Sequence, residues 1–147
     1  MADYLKKFRL DGKTAFVVGG LGLIGREVSR AFAAVGAKTI VLDLEREKLA
    51  AFEKELRDVG NTAHSRPFDC SDLDSLETNF AGLLDKFGFP HVFINCSYPR
   101  TQDWDKSSFT EVTLASFQEN VSIHMNSYAW LARLSAEAMV ERGQGGC

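Results

Sequence analysis

The sequence predicts an α/β fold, a doubly wound parallel sheet with helices on both of its faces. Short β-branched and apolar runs alternate with longer segments whose apolar residues recur at helical spacing, in the order β-α-β-α-β-α-β-α. The connections between these segments are short. Strands that alternate with helices pair in parallel, and right-handed crossovers between them produce the doubly wound topology.

Four short segments are predicted to be strands. The first is Thr14–Val18, which is apolar, partly β-branched and followed by two glycines. The others span residues 39–43, 62–68 and 91–95. The strand at 62–68 is the weakest of them, because Pro67 lacks the N–H group that a central strand donates.

Four helices are predicted from apolar residues that recur along one side of each segment. Their ranges are 23–35, 45–59, 71–87 and 114–142, and residues 96–112 form a polar loop. Ser71 is expected to be the N-cap of the third helix, whose apolar line begins at Leu73. The apolar line of the first helix includes Ile24, Val28, Ala31, Phe32 and Val35; that of the last includes Phe117, Val121, His124, Tyr128 and Leu131. We expect one domain over residues 1–147.

The composition narrows the class of protein. The chain has 147 residues, 45% hydrophobic and 25% charged, with a net charge of −3, which is ordinary for a globular domain. Its scattered Lys and Arg residues offer no basic surface for nucleic acid. The opening residues lack the apolar segment of a secretory signal, and no apolar run is long enough for a membrane span. Three cysteines without metal-ligand spacing favour reduced thiols in the cytoplasm and no metal site.

The segment VVGGLGLIG, residues 17–25, carries the first functional signal. Its glycines fit two nucleotide-binding patterns, G-x-G-x-x-G from Gly20 and G-x-x-G-x-x-G from Gly19, and both patterns end at Gly25. The segment joins the first strand to the first helix, where a tight turn lets the backbone approach a pyrophosphate at the helix N-terminus. Gly22 lies beneath the pyrophosphate in both patterns. The alternative is a tight turn that binds nothing.

Polar residues at the ends of the next three strands fit the same ligand. Asp43 ends the second strand 18 residues after Gly25, where an acidic side chain accepts hydrogen bonds from the adenosine ribose. Asp69 is a candidate acceptor for the adenine amino group, and Asn95 is a candidate to hold backbone or ribose at the crevice edge. The alternatives are that Asp43 caps a helix, Asp69 supplies a charge at a helix N-terminus, and Asn95 closes a turn.

Asp43 also bears on the choice of cofactor. A carboxylate beside the ribose repels a 2′-phosphate, so NAD is favoured over NADP. Arg26 and Arg46 lie nearby in the sequence and would soften that preference if they reached the phosphate.

With these motifs in place, the segment 11–43 resembles the opening of a short-chain dehydrogenase/reductase, and the likeness extends over nearly the whole chain. Gly19 and Gly25 match the T-G-x-x-x-G-x-G turn of that family, while Val18 and Leu23 depart from it. The stretch NCSY, residues 95–98, stands at the N-N-A-G motif and keeps only its first asparagine, a departure because that motif braces the central sheet. The resemblance implies a Rossmann-type fold and these cofactor-binding residues: Gly19, Gly22, Leu23, Ile24, Gly25, Asp43, Leu44, Asp69, Cys70, Asn95, Cys96 and Ser97.

Two stretches, INCSYPR and QENVSIHMNSY, resemble a bacterial subgroup of that family linked to sugar derivatives for surface or flagellar glycans. The subgroup implies a hydroxylated sugar as the substrate, with phosphorylated and nucleotide-linked sugars among the candidates, and Arg100 as a candidate anion contact. The alternative is that Arg100 is a surface arginine. His124 aligns with an asparagine of the family that has a structural and catalytic role. Its alternative is a core histidine bonded to a backbone carbonyl.

The family resemblance also implies where the chemistry lies. The serine and the Tyr-x-x-x-Lys pair of the family follow the long helix, and no tyrosine of this chain has a lysine four residues later. We therefore expect the N-terminal part of an NAD(P)-dependent oxidoreductase, truncated after the fifth helix of the family and without turnover of its own. The strand at 91–95 would be an uncovered edge, so we expect the chain to self-associate or to be unstable. The family further implies a homo-oligomer.

Two other classes of protein share parts of this pattern. A methyltransferase that uses S-adenosylmethionine also has a glycine turn and acids after its second and third strands, although Gly25 favours the dehydrogenase. A non-catalytic nucleotide-binding module is favoured by the departures at NCSY and His124.

Overall fold

The structure, a computed structural model, describes residues 4–105, 108–143 and 145–147. Its sheet has four parallel strands in the order β3-β2-β1-β4. The strands are β1 (Thr14–Val18), β2 (Lys38–Asp43), β3 (Ala63–Pro67) and β4 (Val92–Asn95). The helices are α1 (Leu23–Ala34), α2 (Arg46–Asp58), α3 (Leu76–Phe87) and α4 (Leu114–Glu141), and a short 3-10 helix, Tyr4–Phe8, precedes β1. The predicted doubly wound α/β fold is confirmed.

The two faces of the sheet bury separate cores. On one face, Phe16 of β1 packs with Phe80 of α3 and Leu131 of α4, and the two phenyl rings meet edge to face at 6.4 Å. On the other face, Val41 of β2 packs against Phe52 of α2. All five residues of β1 are buried, as expected for the central strand of a sheet covered on both sides.

The third helix begins later than the sequence predicts. Its N-cap is Ser75 rather than Ser71, and Leu73 is exposed instead of leading the apolar line. Ser71 is held elsewhere, because its N–H and its hydroxyl both donate to Oδ1 of Asp69, at 2.8 and 2.6 Å. This local turn precedes the helix, which starts at Leu76.

The buried faces of α1 and α4 also differ from the predicted apolar lines. Ile24 is 72% exposed and Phe117 is 57% exposed, although Leu131 is buried as predicted. Small residues face the sheet instead: Gly25, Ser29 and Ala33 in α1, and Ser127, Ser135 and Ala138 beside Leu131 in α4. Small side chains allow a helix to approach the sheet closely. The line of large apolar residues therefore does not mark the side of each helix that is buried. Among the described helices, none is long and apolar enough to span a membrane.

The last residue extends the sheet beyond β4. The Cys147 N–H donates to the His91 carbonyl at 3.0 Å, and the Phe93 N–H donates to the Cys147 carbonyl at 2.8 Å. These two bonds form a parallel bridge opposite Val92. The start of β4 is therefore paired on both sides, which corrects the expectation of a wholly uncovered edge at 91–95. The expected self-association stays a prediction.

Candidate functional site

The glycine turn after β1 owes its shape to backbone contacts that exclude a Cβ atom. Gly19 has φ +70, and a Cβ there would lie 2.5 Å from the Ser97 nitrogen. A Cβ at Gly25 would lie 2.1 Å from the Gly19 carbonyl oxygen. Gly20 has no positive φ, and its Cβ would meet the side chain of Val41. Gly19 therefore makes the turn, as the dehydrogenase pattern predicts, while Gly20 and Gly25 are tight packing positions.

The N-terminus of α1 opens at this turn without a side-chain cap. Gly22 is its N-cap and offers no side-chain acceptor to the first N–H groups of the helix. The side chains of Leu23 and Ile24 point into solvent rather than over these groups. An uncapped helix N-terminus leaves backbone donors and the positive end of the helix dipole for an anion.

Asp43 fastens the turn to the end of β2. Its Oδ2 accepts from the Leu21 N–H at 2.9 Å, and its Oδ1 accepts from the Leu44 N–H at 2.8 Å. The N-cap of α2 is Glu45, so Asp43 does not cap that helix and this alternative is wrong. A carboxylate has about four acceptor positions, so two such bonds leave room for further donors.

The ends of β3 and β4 meet through a chain of hydrogen bonds centred on Ser97. The Cys70 thiol donates to Ser97 Oγ at 3.2 Å, and Ser97 Oγ donates to Asn95 Oδ1 at 2.6 Å. The Ser97 N–H also donates to Asn95 Oδ1, at 3.0 Å, and the hydroxyl of Tyr128 donates to the Ser97 carbonyl. Burial raises the pKa of the Cys70 thiol and that of the Cys96 thiol, which keeps both in the neutral form. Burial likewise raises the pKa of Tyr128.

Asn95 leaves both N–H donors of its amide nitrogen unused among the described residues. Its Nδ2 is buried and has no hydrogen-bond partner among the described residues, while its Oδ1 accepts twice from Ser97. Leaving a buried amide nitrogen unpaired costs about 1–3 kcal/mol, which the two bonds that Oδ1 accepts from Ser97 offset in part.

A cleft of about 560 Å³ brings most of the predicted cofactor residues together. Those that line it are Gly19, Gly22, Asp43, Leu44, Asp69, Cys70, Cys96 and Ser97. Leu23, Ile24, Gly25 and Asn95 do not line it; Gly25 and Asn95 support residues that do. A smaller recess of about 280 Å³ adjoins Leu44 and Asp69. Sequence reasoning missed Phe68 and Asn79, which line it, and only their place after β3 and within α3 could have suggested them.

His124 lies in an aromatic cluster beside this cleft. Its Nδ1 donates to the Asn120 carbonyl at 2.8 Å, which is the expected alternative of a histidine bonded to the backbone. Its Nε2 is buried without a hydrogen-bond partner in the described part of the chain. The ring of Tyr98 lies 4.6 Å from the His124 ring, and that of Tyr128 lies 5.6 Å away.

A parallel sheet, a glycine turn into a helix and polar side chains at the strand ends define a Rossmann-type α/β protein. Comparison of the sequence with models of known families identifies one family. The family model described as short chain dehydrogenase matches residues 13–147, and the chain belongs to that family.

Relatives and solved structures agree with this membership. A sorbitol dehydrogenase of Cereibacter sphaeroides is 29% identical over 138 residues, which cover 94% of this chain and 51% of the relative. A post-translational flagellin modification protein A of Campylobacter coli is 24% identical over 120 residues, 81% of this chain and 47% of the relative. A metagenomic short-chain oxidoreductase solved in complex with NADP has a TM-score of 0.79 and 26% identity, covering 92% of this chain and 60% of that one. The chain thus spans about half the length of the curated relatives it matches.

Proposed function

We propose that this chain is the dinucleotide-binding part of an oxidoreductase that transfers a hydride between a nicotinamide cofactor and a hydroxyl or ketone group of a sugar derivative. The observation that carries the proposal is the Gly19 turn, closed by Ser97 on one side and fastened by Asp43 on the other. Because the turn is built from glycines, its backbone faces the cleft beside the uncapped N-terminus of α1.

The residues at the edge of the sheet fit an adenine dinucleotide. Backbone N–H groups at the start of α1 would hold the pyrophosphate. Asp43 would accept from the adenosine ribose, and Asp69, which lines the recess beside Leu44, would accept from the adenine amino group.

We propose NAD rather than NADP as the preferred cofactor. Asp43 is the reason, because its negative charge would face the 2′-phosphate of NADP across a short distance. A similar solved structure holds NADP, so the likeness to it does not support a preference for NAD. The proposed preference rests on the Asp43 carboxylate alone, and the affinities for both cofactors have to be measured.

When bound, a nicotinamide cofactor would supply the hydride acceptor for the oxidation of an alcohol to a ketone, with the hydroxyl proton taken up by a base. This chain would bind and orient the cofactor. The serine, tyrosine and lysine that move the proton in the family would lie outside these 147 residues. The likeness to a sorbitol dehydrogenase supports a small hydroxylated substrate. The proposal includes a cytoplasmic homo-oligomer, and the free cysteines are consistent with a reducing compartment.

The test is a titration of the protein with NADH and NADPH, followed by cofactor fluorescence. We expect NADH to bind more tightly, and Asp43→Asn to improve the affinity for NADPH relative to NADH by about fivefold, since a like charge near the phosphate is removed. Asp85→Asn removes an equal charge from an exposed position on α3 that does not line the cleft, and should leave the ratio unchanged.

Other outcomes have definite meanings. Binding of neither cofactor would refute the proposal. Tight binding of S-adenosylmethionine without NADH would favour a methyltransferase instead. An NADPH-to-NADH ratio that does not change in Asp43→Asn would refute the assigned role of Asp43 while keeping dinucleotide binding.

A further inference from the structure

The order of the strands gives the cleft two different ends. Asp43 and Asp69 follow β2 and β3, on one side of the central strand β1. Tyr98 and Arg100 follow β4, on the other side of β1, and they line the same cleft. If the adenosine lies over β2 and β3, as the proposed function requires, the nicotinamide and the substrate lie towards Tyr98 and Arg100.

Two aromatic rings at this second end are held in place and still open to solvent. Tyr98 is 52% exposed and Trp104 is 45% exposed. Their ring centroids lie 5.1 Å apart in an edge-to-face contact, and Tyr98 also packs on His124. Beyond Trp104 lies a cavity of about 200 Å³. Large exposed rings fixed by their neighbours beside open space offer a preformed surface to a ligand.

Arg100 brings an unneutralised charge to the same place. Its guanidinium lies 5.8 Å from the centre of the Trp104 ring and is exposed. Other arginines of the described chain, such as Arg30 and Arg133, pair with carboxylates. No carboxylate among the described residues pairs with Arg100, so its planar array of donors is available.

We propose that Tyr98, Trp104 and Arg100 form a substrate recess for a polyhydroxylated compound that carries an anionic group, a carboxylate or a phosphate. The inference rests on the proposed function, which places the substrate at this end of the cleft. The aromatic rings pack against the C–H groups of the carbon chain, and the guanidinium binds two oxygens of the anion. A neutral sugar alcohol meets the rings alone, so the recess favours the anionic compound.

Three compounds with the same six-carbon chain test the recess: D-gluconate, D-sorbitol 6-phosphate and D-sorbitol. A Trp130→Phe background leaves Trp104 as the sole tryptophan, because the chain has two. Its fluorescence is titrated with each compound in the presence of saturating NAD⁺, after calorimetry has established that NAD⁺ binds. We expect at least one anionic compound to bind about tenfold more tightly than D-sorbitol, as a charge-assisted bidentate contact predicts, and the advantage to decrease with added NaCl. The two anionic compounds show whether carboxylate or phosphate is preferred.

Arg100→Gln should reduce the ratio of the two affinities, anionic compound over D-sorbitol, from about ten to about one. Arg100→Lys should keep part of this advantage because the positive charge remains. The matched control is Arg133→Gln, an arginine that stacks on residue 130 outside the cleft and should leave the advantage intact. Equal binding of charged and neutral compounds, or an advantage that survives Arg100→Gln, would overturn the recess while NAD⁺ binding stands. Failure of NAD⁺ to bind in calorimetry would overturn the proposed function, and with it the recess as a substrate site.

Discussion

Replacing Gly25 with alanine tests the contact between the glycine turn and α1. The new Cβ would lie 2.1 Å from the Gly19 carbonyl oxygen and 2.8 Å from the Gly20 Cα, both backbone atoms that cannot rotate away. Overpacking of this kind costs about 1–3 kcal/mol. Alanine also gains up to about 1 kcal/mol of helix propensity over glycine. We therefore expect a net loss of about 1–2 kcal/mol in the free energy of unfolding, measured by urea denaturation.

Gly82→Ala is the matched control, because it makes the same change inside α3. There the nearest atom to the new Cβ is 3.5 Å away, at the end of the Arg66 side chain, so no clash arises. We expect Gly82→Ala to gain about 0.5–1 kcal/mol and to leave NADH binding unchanged. Gly25→Ala should also weaken NADH binding about tenfold or more, since relieving the clash displaces the turn. Equal denaturation midpoints for the two variants would refute the reasoning from packing.

Two further predictions concern single side chains. Ser97→Ala removes the hydroxyl that links Cys70 to Asn95 and should lower the free energy of unfolding by about 1 kcal/mol in urea; an unchanged midpoint would contradict the link. Burial, and then the charge of Arg57, hold the pKa of His64 below its usual value of 6.5, so the folded protein binds fewer protons than the unfolded one. Its contribution to stability is therefore complete above that usual value and is lost as pH falls through the lowered pKa. His64→Gln should make the free energy of unfolding, measured by urea denaturation, depend less on pH below about 6.5. An unchanged pH dependence would mean that other groups cause it.

The sequence predicted the fold and the residues at the edge of the sheet well, because both depend on the order in which strands and helices follow each other along the chain. Alternating strands and helices determine the parallel sheet, and the last residue of each parallel strand reaches the same edge. Asp43, Asp69 and Asn95 were therefore found at one edge from their positions alone. The choice between Gly19 and Gly20 also followed from the motif, and the positive φ of Gly19 agrees with it.

Features that depend on competition between contacts could not be predicted in this way. Ser71 is a good N-cap in isolation, but it lies in a local turn in which its N–H and its hydroxyl donate to Asp69, and the helix starts later, at Leu76. The sheet-facing side of α1 consists of small residues such as Ser29, because close packing outweighs hydropathy there. The contact between Tyr98 and His124 joins a loop to a residue of α4 that lies 26 positions later in the chain. The spacing of apolar residues carries no information about such a contact.

The stretch NCSY shows how a departure from the family motif can keep its structural role and add a new surface. Asn95 and Ser97 still brace the sheet, because Ser97 accepts hydrogen bonds from the Cys70 thiol, which follows β3, and from the Tyr128 hydroxyl of α4. The close approach of Ser97 to Gly19 ties this brace to the glycine turn. Tyr98 takes no part in these bonds, and its ring faces the cleft beside Trp104. Three of the four residues thus support or line the cleft at the end of β4, and the fourth, Tyr98, continues that lining towards the proposed recess.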